Sequence, residues 1–195
     1  MKYPNDYFHI PKWIYFCDIE TTGFDYWRNE ILTLSISRHD YASLELDDEL
    51  ELTFKPSNLQ HFGGSEVHGF SISDTLEFED KSESTSKLIE FFENTNCEHN
   101  VFCCHALWRY NTFFDWAFLL VHMIKFKTEY FLRNHLNKLE STVNYFKHLQ
   151  KNGLISVENF KLNTLCNHFK IALDHHDAKS DRVACFELYK IARGF

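Results

Sequence analysis

An aromatic and β-branched run ending in two carboxylates, Trp13-Ile14-Tyr15-Phe16-Cys17-Asp18-Ile19-Glu20, constrains this chain more than any other segment. Side chains of these types favour a pleated, half-buried backbone, and the run stops at Thr22-Gly23 as a strand entering a turn does. Two alternating runs follow. Ile31 to Ser37 carries Leu32, Leu34 and Ile36 at a period of two, which Leu44, Leu46, Leu50, Leu52 and Phe54 continue. The first third therefore reads as a meander of three antiparallel strands. After Pro56 the apolar spacing becomes helical, over 86–94, 112–125, 131–150, 162–171 and 180–193, with one short buried strand at 101–104. Strands first, then helices interleaved with one more strand, predict an α/β layer fold with a mixed sheet.

No repeat, low-complexity tract or linker divides the 195 residues, and six Gly and three Pro leave few places for a boundary. One domain is expected, with its core at about residues 13–193. No run of eighteen apolar residues is present and the N-terminus lacks the pattern of a secretory signal, so a cytoplasmic chain without a membrane partner is expected. Six Cys without regular spacing read as reduced thiols. Adjacent Cys103 and Cys104 would point to opposite faces of a strand, so Cys97-x-His99-x-x-x-Cys103-Cys104-His105 reads as core rather than as a zinc site. The formal charge of −8 argues against gripping long nucleic acid by charge alone. Lys147, Lys151, Lys161, Lys170 and Lys179 read as scattered solvated residues. Among 33 aromatics only Phe24 and Phe70 stand out as able to stack on a base.

In three segments carboxylates defy burial logic. Asp18 and Glu20, two apart in a strand, project to one face, where like charges raise one another's pKa unless a cation intervenes. Asp115 shares a helical face with Phe118 and Leu119, unless it belongs to the first turn and answers to the helix dipole alone. Asn111 precedes it by one turn. Asp181 lies on a stripe with Ala184, Cys185 and Leu188, and His176, five residues earlier, would face the same place from the preceding loop. If these positions converge, they form a hard-cation site suited to two Mg²⁺ or Mn²⁺ ions and to displacement at phosphorus, with His176 as general base. Two such ions would offset half of the −8 where a phosphate binds.

Asp18-Ile19-Glu20-Thr21-Thr22-Gly23, Tyr110-Asn111-x-x-Phe114-Asp115 and His176-x-Ala178-x-x-Asp181 resemble, in order, the three motifs of the DnaQ-like 3′–5′ exonucleases. The His five residues before the last Asp resembles the DEDDh subgroup, which includes the polymerase III epsilon subunit, exonuclease I, ribonuclease T and oligoribonuclease. The resemblance runs from about residue 13 to 190. It implies a ribonuclease H-like mixed sheet flanked by helices, with Asp18 bridging two metals and Glu20, Asp115 and Asp181 completing their shells. It also implies His176 as general base, and Thr21, Thr22, Phe24, Asn111 and His68 (within Glu66-Val67-His68-Gly69-Phe70) as contacts to the terminal nucleotide. The implied substrate is the 3′ end of single-stranded DNA in proofreading or end trimming, with RNA or short oligonucleotides as the alternative. The implied partner is a polymerase or another replication or repair protein; monomer and homodimer both stay open. A non-catalytic docking module would have lost an acid, and all four are present. Three features depart from the pattern: Tyr110 where many members have His, Arg182 where Ala is usual, and Asp177 as an extra anion. The long segment 125–153, read as helical, is expected to shape substrate choice.

Overall fold

The computed structural model describes residues 10–93, 100–106 and 113–195. Three antiparallel strands open the fold, β1 (Trp13–Thr21), β2 (Ile31–Asp40) and β3 (Leu46–Thr53). A single helical turn, α1 (Ser65–His68), and the helix α2 (Lys81–Glu93) lead to β4 (Asn100–Cys104), which lies parallel to β1. Helices α3 (Phe114–Lys125) and α4 (Glu129–His135) carry the chain to β5 (Leu136–Ser141), parallel to β4. Helices α5 (Thr142–Lys151), α6 (Leu162–Phe169) and α7 (Ala178–Arg193) close it. The strand order is β3-β2-β1-β4-β5, the mixed α/β sheet of the ribonuclease H-like fold.

The alternation of β1 sorts the layers. Tyr15, Cys17 and Ile19 join Leu88 and Phe92 of α2 and Phe118 and Leu119 of α3 in one core. Ile14 and Phe16 point the other way, against Val101, Cys103 and, on α7, Cys185 and Tyr189. Asp18 and Glu20 have the parity of this second face and lie beyond its apolar part, towards the start of α7. A bulge between Glu20 and Thr21 ends the regular pairing with β2. Helices cover both faces, so β2 is buried on both sides rather than on one.

The 131–150 segment corrects the sequence expectation. It is not one helix but α4, β5 and α5, and the sheet has two strands after the meander, not one. Leu132, Leu136, Leu139, Val143 and Phe146 are three or four residues apart and so mimic a helical stripe. Leu139 nevertheless pairs with Phe102 of β4, and Ser141 caps α5 by accepting from the Val143 N–H at 3.2 Å. Helix α2 also begins earlier than its apolar residues imply, because Asp80 accepts from the Ser82 N–H at 2.8 Å. Arg182, the departure beside Asp181, is 3% exposed and ties α7 to the sheet, donating to Ser35 Oγ at 2.8 Å and Glu49 at 2.6 Å. No helix among the described residues is long and apolar enough to cross a membrane.

Candidate active site

The strand parity that buries Ile14 and Phe16 against α7 delivers Asp18 and Glu20 to its N-terminal turn, where Asp181 waits. Carboxylate oxygens of these three residues lie within 4.8 Å of one another. Asp177 starts α7 by accepting from the Ser180 N–H at 2.9 Å, which sets the orientation of that first turn. Asp115 arrives from the opposite layer, in the first turn of α3, and is 5% exposed. Asp115 is thus buried, as its helical face implies, and also sits in the first turn, so the alternative of a residue answering to the helix dipole alone does not hold. It accepts hydrogen bonds from the Ile19 N–H and the Cys104 thiol.

These acids face one another with little relief. Among the described residues, none of Asp18, Glu20 and Asp115 is paired with a Lys or Arg side chain. Burial first, then the Asp115, Asp181 and Glu20 charges, pushes the Asp18 carboxyl well above the usual range. Burial, then Asp181 and Asp115, pushes Glu20 up to about 8. Burial raises Asp115 to about 6 against its hydrogen bonds, and raises Asp181 against the pull of His175. Four oxygen donors that repel one another suit a hard divalent cation, whose charge would remove the repulsion. The donor set thus fits Mg²⁺ or Mn²⁺.

The four acids line a cleft of about 760 Å³. His176 borders it from the turn before α7, at φ 74°, left-handed for a non-glycine residue. Burial, then the adjacent His175, lowers the His176 pKa. The imidazole on Asp181 is nevertheless that of His175, with Nδ1 at 3.2 Å from Oδ2, while His176 contributes its backbone N–H at 3.2 Å. The His175–His176 doublet was the only trace of this in the sequence.

Around the rim, Thr21 donates its hydroxyl to the Gly23 carbonyl at 2.6 Å and lines the cleft. Thr22 lies outside the lining, its hydroxyl accepting from the Glu30 N–H at 2.9 Å within the turn. Gly23, at φ 152°, has a backbone that strains any side chain, and a Cβ there would stand 2.7 Å from the Asn29 amide and force it to shift. The turn leaves Phe24 83% exposed at the cleft, with its ring centroid 6.3 Å from that of Phe114. His68 is buried. Its Nδ1 accepts from the Phe70 N–H at 3.1 Å, so Nε2 carries the proton and donates to the Gly63 carbonyl at 2.9 Å. Tyr110, Asn111, Cys97 and His99 lie outside the described residues.

The far wall holds groups that the sequence reading set aside. Lys147 of α5 and Lys161, at the start of α6, line the same cleft, although 151, 170 and 179 do not. His105, pushed down to about 4 by burial, accepts from the Thr142 hydroxyl at 2.6 Å and donates to the Phe160 carbonyl at 3.0 Å, anchoring the segment that presents Lys161. These residues belong to separate elements, so no local pattern joins them.

No family model matches the chain and no curated protein matches its sequence. Solved structures do match. Escherichia coli exonuclease I in complex with a dT13 oligonucleotide shares 14% identity at a TM-score of 0.77, over 93% of this chain and 41% of that one. The zinc-bound form of the E. coli exonuclease I complex with single-stranded DNA matches at 15% identity and TM-score 0.76, over 95% and 41%. A moderately thermophilic exonuclease I from Methylocaldum szegediense matches at 17% identity and TM-score 0.71, over 93% and 40%. The chain therefore spans about two fifths of the length of these exonuclease I chains. It has the DnaQ-like 3′–5′ exonuclease fold.

Proposed function

We propose that this chain is a metal-dependent 3′–5′ exonuclease that removes nucleotides from the end of single-stranded nucleic acid, with DNA as the favoured substrate. The observation that carries the reading is the meeting of Asp18, Glu20 and Asp181 within 4.8 Å in a cleft that Asp115 also lines, without Lys or Arg pairing of Asp18, Glu20 or Asp115 among the described residues. Asp18, Glu20, Asp115 and Asp181 would hold two Mg²⁺ or Mn²⁺ ions. Bound there, the ions would supply the positive field that polarises the phosphate and steadies charge on the entering and leaving oxygens.

The chain's own residues do the rest. His176, with its pKa lowered, is neutral near pH 7 and takes the proton of the attacking water at a ring nitrogen, then passes it to solvent from its exposed position. Phe24 stacks on the terminal base. Thr21 and His68 flank the sugar, and Thr22 contributes by fixing the turn that holds Thr21. Lys147 and Lys161 attract the backbone phosphates upstream of the scissile bond. The −8 charge favours a second reading, in which the substrate is a short oligonucleotide, DNA or RNA, because so acidic a surface gives long strands little non-specific attraction.

The test is digestion of end-labelled single-stranded DNA, single-stranded RNA, duplex ends and dinucleotides in Mg²⁺ or Mn²⁺. Single strands are expected to shorten from the 3′ end, EDTA to stop the reaction, and Asp18→Ala to abolish turnover while the protein stays folded. No digestion of any substrate in either metal overturns the proposal.

A further inference from the structure

The geometry points to a second kind of metal site at the mouth of the cleft: His175, His176 and Asp181 form a three-ligand seat for a borderline transition ion such as Zn²⁺. One ligand atom of each residue lies within 4.8 Å of the other two. A tetrahedral zinc with bonds of about 2.0–2.1 Å holds its ligand atoms about 3.4 Å apart. His175 Nδ1 and Asp181 Oδ2 already stand at 3.2 Å. The second imidazole is brought alongside by an unusual backbone. His176 adopts φ 74°, and the two rings stack with centroids 3.8 Å apart and planes 19° from parallel. Neighbouring side chains in extended backbone diverge, so the left-handed turn is what aligns them. Both rings are exposed, which lets them rotate by the small amount needed to close on an ion and leaves its remaining positions open to water.

The donor chemistry separates this seat from the carboxylate cluster beside it. Two imidazoles and one carboxylate suit Zn²⁺, Co²⁺ or Ni²⁺, whereas Asp18, Glu20 and Asp115 offer oxygen to Mg²⁺ or Mn²⁺. Asp181 belongs to both sets, so a transition ion on the histidine pair withdraws Asp181 from the hard-cation site and occupies His176. The seat is therefore inhibitory. That consequence rests on the proposed exonuclease reading; the binding itself does not.

Calorimetric titration of the full chain with ZnCl₂ in excess Mg²⁺ tests the binding, with Co²⁺ absorbance as a second readout of tetrahedral nitrogen and oxygen ligation. One Zn²⁺ per chain is expected for the wild type. At least tenfold weaker binding is expected for His175→Ala, which should fold normally because His175 is exposed in a turn. Digestion by wild type should fall as Zn²⁺ fills the site, and His175→Ala, compared with its own zinc-free rate, should need at least tenfold more Zn²⁺ for the same fractional fall. No Zn²⁺ binding above the Mg²⁺ background overturns the inference. Binding that survives His175→Ala but is lost in Asp18→Asn does so too, by assigning the ion to the carboxylates. If the chain digests nothing, the activity reading fails while the titration still decides the site.

Discussion

Replacing Glu20 by Gln removes one charge from carboxylates that face one another, and its effect is cleanest without metal. Glu20 is 9% exposed, and burial, then Asp181 and Asp115, hold its carboxyl at about 8 against an ordinary 4.5. A carboxyl raised in this way stabilises the fold while protonated. Its contribution is complete below about pH 4.5 and is lost as the pH rises through about 8, because the unfolded chain ionises there more readily than the folded one. At about 1.4 kcal/mol per pH unit between those values, going from pH 5 to 8 removes about 3 kcal/mol through Glu20 alone. For a chain of this size that is a fall in Tm of roughly 6–12 °C. Gln stays neutral, so the decline in Glu20→Gln is expected to be shallower by that amount. The remaining slope comes from Asp18, Asp115 and Asp181, whose carboxyls are also raised. The assay is thermal melting of both proteins in EDTA across this pH range, followed by wild type in excess Mg²⁺ at the alkaline end. There, an ion that binds only the native state should restore the lost stability. Equal slopes for wild type and Glu20→Gln would refute the electrostatic argument.

Phe24→Ala is expected to raise KM for single strands about tenfold, the loss of one stacked base being about 1–3 kcal/mol. Its Tm should not move, since Phe24 is 83% exposed; unchanged KM removes Phe24 from the substrate contacts. Arg182→Met should cost about 2 kcal/mol in urea unfolding, because it leaves Ser35 of the buried sheet without its 2.8 Å donor. A neutral result would make that bond dispensable. Gly23→Ala, which drives a Cβ to 2.7 Å from the Asn29 amide, should cost about 2 kcal/mol and depress digestion by shifting Thr21 and Phe24. A variant with wild-type stability and turnover would show that the turn adjusts freely.

Periodicity along the chain carried far because two of its consequences are local. The period of two in Trp13–Glu20 put Asp18 and Glu20 on one face before any fold was known, and in the structure that face meets α7. The same rule failed over 131–150, where residues spaced three and four apart satisfied a helix although β5 lies among them. What made β5 a strand was its partner, since Leu139 has a vacant sheet edge beside Phe102 to pair with. A short apolar run has no such information within itself.

The carboxylates divide in the same way. Asp18, Glu20, Asp115 and Asp181 stood out because each is an acid where its own element buries apolar residues, a contradiction visible one element at a time. Which imidazole reaches Asp181 was not visible: the left-handed turn at His176 gives that contact to His175. Nor did spacing separate Lys147 and Lys161 from the other lysines, because α5 and the start of α6 meet at the cleft only through packing on α7. Sequence by itself determined the strand meander, the two-faced β1 and the four misplaced acids, since backbone geometry ties side-chain direction to position. Tertiary structure alone decided the fifth strand, the histidine on Asp181 and the lysines of the far wall, since these depend on contacts between segments that no local period relates.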